Sequence, residues 1–72
     1  MYLTYETLKT MTEGEEFPFF FETQLHETAY VVPGNDGVSS YYIVTILQGN
    51  GWCRIKTYYE DGEVMEGFKR IV

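Results

Sequence analysis

Seventy-two residues make one small domain, and thirteen aromatics (seven Tyr, five Phe, one Trp) are its means of building a core. A single cysteine, Cys53, excludes an internal disulfide and a four-cysteine metal site and points to a reducing, cytoplasmic setting. A net charge of −6 argues against direct nucleic-acid binding, because phosphate contacts need clustered cations.

Thr4 followed by Tyr5-Glu6-Thr7-Leu8-Lys9-Thr10-Met11 predicts one or two helical turns, with Thr4 as N-cap and Glu6 favouring the positive end. Tyr5, Leu8 and Met11 would share a face; a short strand over Tyr2 to Tyr5 is the alternative. Glu13-Gly14-Glu15-Glu16 reads as a solvated turn. Phe17 to Leu25 is the first predicted strand, its odd positions (Phe17, Phe19, Phe21, Thr23, Leu25) facing inward, with Pro18 marking a strand start or an edge. Thr28 to Val32 is the second, and Pro33 to Ser40 the longest loop, rich in turn-forming residues.

The last forty residues carry the clearest rhythm. Tyr41–Leu47, Trp52–Tyr59 and Val64–Val72 are three β-forming runs, separated by Gln48-Gly49-Asn50-Gly51 and Glu60-Asp61-Gly62-Glu63. Asn-Gly and Asp-Gly suit tight hairpin turns, so a three-stranded meander follows. The fold expected is all-β with one short N-terminal helical turn: a five-stranded antiparallel, SH3-like barrel or a strongly bent meander, residues 1–72 forming a single domain. An OB-fold is disfavoured because no helix falls between the third and fourth strands.

Even-length hairpin loops place even positions of one strand opposite odd positions of the next. The expected inner face is then Tyr42, Val44, Ile46, Cys53, Ile55, Val64 and Phe68. The expected outer face holds Trp52, Arg54, Lys56, Tyr58, Met65 and Lys69, with Ile71 a further candidate. That face gathers three of the five cations beside a Trp and a Tyr, residue types that anchor interfaces. The competing interpretation is that Trp52 and Tyr58 pack under the N-terminal segment while Arg54 and Lys56 answer nearby acids. Only an odd-length loop reverses the face assignment.

Charge is uneven along the chain. Residues 1–36 carry seven acids against Lys9, whereas residues 37–72 carry four acids against Arg54, Lys56, Lys69 and Arg70. Glu6, Glu13, Glu15, Glu16 and Glu22 form an alternative binding rim that would suit a basic protein surface; the same acids also serve solubility. No constellation places a nucleophile beside a base. His26 is expected at the surface and Cys53 as a buried structural thiol. Asn35-Asp36-Gly37 lacks the spacing of a calcium loop. No cofactor or metal is expected. No apolar run approaches the ~20 residues that span a bilayer, and the start Met1-Tyr2-Leu3-Thr4 lacks a signal peptide's basic and apolar regions.

These observations favour a non-enzymatic protein-binding module, a small acidic inhibitor or accessory factor of the kind phages and mobile elements encode. Two other classes stay open: a binder of a nucleotide or cation in an aromatic-walled pocket, and a self-assembling structural subunit.

Overall fold

A computed structural model describes residues 2–70. A single helix, α1 (Tyr5–Met11), precedes five strands: β1 (Phe19–Glu22), β2 (Thr28–Asn35), β3 (Ser40–Leu47), β4 (Trp52–Tyr59) and β5 (Val64–Arg70). The strands form one antiparallel meander in the order β1-β2-β3-β4-β5. The sheet is open, with β1 and β5 as its edges, so the all-β expectation holds without the closure of a barrel. The end of the last expected strand, residues 71–72, lies outside the described residues.

Seven residues are too few for an independent helix in water, so α1 depends on its caps and on docking. Thr4 Oγ1 accepts from the Thr7 amide at 3.1 Å, and Thr7 Oγ1 accepts from the Thr4 amide at 2.7 Å, a reciprocal N-terminal cap. Leu8 is the helix's fully buried residue. It joins Ala29, Val31, Val44, Ile46 and Tyr58 in the core, with Leu3, Tyr5, Met11, Phe19, Phe21 and Tyr42 packed around them.

Two strand bounds differ from expectation. β1 stops at Glu22 because Thr23 to Glu27 close a hairpin: the Thr23 amide donates to the Glu27 carbonyl at 2.9 Å, and Thr23 Oγ1 accepts from the Glu27 amide at 3.0 Å. Leu25, expected inward, therefore stands 76% exposed at a turn. β2 runs on through Pro33 to Asn35, shortening the expected long loop. Pairing with β1 ends at Val31, so β2 is itself an edge at Pro33, where a missing amide hydrogen is tolerated.

The third difference changes the faces. Gln48 donates its amide to the Trp52 carbonyl at 3.0 Å and Tyr59 donates to Glu63 at 2.9 Å, each closing a three-residue loop. The last residue of each loop is left-handed: Gly51 at φ 87° and Gly62 at φ 95°. In the β4–β5 loop, where the Gly62 amide also donates to the Tyr59 carbonyl at 3.0 Å, this is the three-residue hairpin with a glycine bulge. In the β3–β4 loop Gly49 is left-handed as well, at φ 80°, and the odd length of each loop reverses parity. Tyr42 pairs with Tyr58, Val44 with Lys56 and Ile46 with Arg54; Lys56 in turn pairs with Glu66, and Arg54 with Phe68. Trp52, Arg54, Lys56 and Tyr58 therefore lie on the helix-bearing face, not opposite it. Cys53 and Ile55 lie on the opposite, open face, where Cys53 is nonetheless buried. Val64 and Phe68 stay on the core side as expected, because the two reversals cancel.

Candidate functional site

Helix α1 packs over β3 and leaves the β4–β5 half of the same face uncovered. The rows across that face read Phe21–Ala29–Ile46–Arg54–Phe68 and Phe19–Val31–Val44–Lys56–Glu66. Each row is apolar under the helix and turns charged at β4. The result is a groove of about 670 Å³ between the N-terminal segment, the β1–β2 hairpin and β4–β5, whose walls include Tyr5, Phe21, Glu27, Arg54, Lys56 and Val64.

The groove's cations are held by acids. Arg54 Nη2 lies 3.7 Å from Glu27 Oε1, both side chains being largely sheltered, and Lys56 Nζ lies 3.8 Å from Glu66 Oε2. Glu27 also receives Gln48 Nε2 at 3.4 Å and the Thr23 hydroxyl at 3.3 Å. Arg54 Nε is buried without a partner. Lys56 Nζ sits 5.7 Å from the Tyr58 ring centre, and the Arg70 guanidinium 5.9 Å from that of Trp52. The competing interpretation of this stripe is thus the better description of three of its members: Tyr58 is a core residue, 4% exposed, and Arg54 and Lys56 answer neighbouring acids.

Of the expected aromatic and basic face, Trp52, Arg54, Lys56 and Tyr58 stay together. Met65 and Lys69 are separated from them, since Met65 pairs with Thr57 and Lys69 with Cys53 on the open face. Sequence reasoning missed Glu27, Glu66 and Arg70 at this site. The signal for Glu66 and Arg70 was their even spacing with Val64 and Phe68 on the last strand; Glu27 carried none, because a hairpin tip brings it over.

The alternative acidic rim is spread along the chain. Glu6 is on the first turn of α1, while Glu13, Glu15 and Glu16 follow the helix. Glu22 ends β1 with its carboxylate 3.0 Å from His26 Nδ1, at the surface. Asp36 is committed to its turn. The amides of Ser39 and Val38 donate to its Oδ1 at 2.8 and 2.9 Å, and these bonds hold its carboxyl below the usual aspartate value. Cys53 is buried, its thiol 3.4 Å from the Lys69 carbonyl oxygen. Among the described residues, no group of three His, Cys, Asp or Glu side chains is placed to hold a metal ion, and no helix is long and apolar enough to cross a membrane.

Fold and site together define an open five-stranded antiparallel meander, half-capped by a short helix, with a charged groove beside its last strand. No protein-family model matches the chain, and neither a curated protein nor a solved structure matches it.

Proposed function

We propose that this protein is a non-enzymatic protein-binding module, a small acidic inhibitor or accessory factor that occupies a partner's surface through the groove and the β5 edge. The observation that carries the reading is β5 itself. All seven of its residues are exposed, and one side of its backbone has no strand partner among the described residues. Unpaired amides and carbonyls along an edge are a template for an added strand. Val64 and Phe68, 49% and 65% exposed, flank Glu66 on the groove side, and Trp52 stands nearby at 42%. Apolar anchors at a free edge supply the affinity, and the Arg54–Glu27 and Lys56–Glu66 pairs beside them supply orientation.

The test is affinity capture from nuclease-treated lysate with the wild type and with Phe68→Glu and Trp52→Ala, each checked for fold by circular dichroism. A single protein recovered in near-equal amount by the wild type and lost with Phe68→Glu supports the reading. Equal recovery by all three moves the site elsewhere, to the acidic residues Glu6, Glu13, Glu15 and Glu16. Recovery of no partner favours a second reading, for which the groove's size is the specific support: its volume falls within the range of small-ligand sites. A thermal shift with a nucleotide panel then decides that reading.

A further inference from the structure

The face opposite α1 is built unlike the surface of a one-sided sheet. Its rows read Glu22–Thr28 and, at the same level across the sheet, Leu47–Cys53–Lys69, then Phe20–Tyr30–Thr45–Ile55–Gly67, then Val32–Ile43–Thr57–Met65, and last Gly34–Tyr41–Tyr59. Among the described residues, the charged side chains on the paired strands of this face are Glu22, at the β1 edge, and Lys69, at the β5 edge, both one residue beyond the Phe21–Ala29–Ile46–Arg54–Phe68 row; Glu63 stands beside Tyr59 only where the β4–β5 loop closes. Everything between them is uncharged. Strand β4 gives the sharper indication. It turns Arg54 and Lys56 toward the helix-bearing face and Cys53 and Ile55 away from it. For a sheet whose only core lies under the helix that orientation is inverted, since alternation normally buries the apolar side. It is the expected orientation if the open face is covered as well.

We propose that the open face packs against the same face of a second copy, around a two-fold axis parallel to the strands. Charge selects both the occupant and the axis. A two-fold along the strands lays β1 of one copy over β5 of the other at the same height, so each Glu22 meets the Lys69 of the other copy. An in-plane axis across the strands lays β1 over β1 instead and leaves both charges facing uncharged surface. The row is thus self-complementary, as an isologous interface requires. The other acids do not oppose the contact: they lie on α1 and the turn after it, on the hairpin turns, or, for Glu27 and Glu66, at the groove.

Size is adequate. Strands about 4.8 Å apart and rising ~3.3 Å per residue give this face roughly 500 Å². Two opposed faces then remove roughly 1,000 Å² from water, the area at which specific interfaces begin. The product is an aligned sandwich with its sheets about 10 Å apart, each sheet carrying its helix on the outside. The groove and the β5 edge remain free, so the dimer stands or falls independently of the partner-binding reading.

Sedimentation equilibrium from about 1 μM to about 1 mM tests it on the wild type, Lys69→Glu, Glu22→Lys, the combined reversal and Thr57→Lys. All of these positions lie on the open face and leave the helix-side core untouched. The expected result is a wild-type dimer. Each single reversal should weaken it about tenfold or more, because two symmetry-related attractions become repulsions. The combined reversal should restore dimerisation, and Thr57→Lys should abolish it by burying a charge in mid-face. A wild-type protein that stays monomeric throughout overturns the proposal, as does a combined reversal no better than the single ones. A dimer that ignores all four variants yet is lost with Phe68→Glu assigns pairing to the β5 edge and overturns it equally.

Discussion

Replacing Leu8 with alanine isolates the contact that makes the helix a helix. α1 has seven residues, too few to persist in water, and Leu8 is the one of them that is fully buried, against Val31, Val44 and Ile46. Truncation removes three methylene-sized groups and leaves a void that the sheet beneath fills only in part, a change that costs about 3 kcal/mol in comparable cores. A chain of this length has a total stability of roughly 4–11 kcal/mol, so the loss is a large fraction of it. At ~4–8 °C per kcal/mol for a domain this small, the melting temperature should fall by roughly 12–24 °C. Urea titration followed by Trp52 fluorescence and far-ultraviolet circular dichroism measures it, with Met11→Ala, at a half-buried position, as the milder comparison. A loss below about 1 kcal/mol for Leu8→Ala would refute the reasoning, since it would mean that the helix does not hold the sheet's core face.

Three further outcomes follow from local geometry. Gly62→Ala should cost about 1–2 kcal/mol in urea titration, because φ is 95° there and a Cβ is strained although it meets no neighbour; an unchanged midpoint counts against the bulged three-residue loop. Arg54→Glu should destabilise by about 2 kcal/mol by setting two sheltered carboxylates together, whereas Arg54→Met should stay within about 1 kcal/mol, because it keeps the packed stem and removes the unpartnered Nε. Equal effects of the two variants would refute the Arg54–Glu27 pairing. Asp36 titrates below the usual aspartate value when folded, so its contribution to stability is complete above the unfolded value and is lost as pH falls through the lower, folded one. Carboxyl carbon shifts against pH should give a midpoint below that of an ordinary aspartate, and a midpoint at or above it would contradict the Ser39 and Val38 hydrogen bonds.

Local chemistry alone determined most of the elements. Thr4 and Thr7 cap a helix wherever it docks, β-branched and aromatic runs stay extended, and the Gly49-Asn50-Gly51 and Asp61-Gly62 segments must turn. Those properties are written within a few residues and are legible without the rest of the chain. The faces of β4 were not. Gln48 to Trp52 can close as a two-residue or a three-residue loop, and the choice shifts register by one residue and exchanges every side chain of the strand between faces. An even-length loop puts Cys53 and Ile55 inward and Trp52, Arg54, Lys56 and Tyr58 outward, and it is the three-residue closure that sets those four on the helix-bearing face. The tertiary structure settled the matter through contacts distant in sequence. Tyr58 completes the core beside Leu8, fifty residues earlier, and Arg54 meets Glu27 from a hairpin at the far side of the sheet. Hairpin closure is local, but which of two closures is used depends on what each face of the strand finds when the whole sheet has assembled.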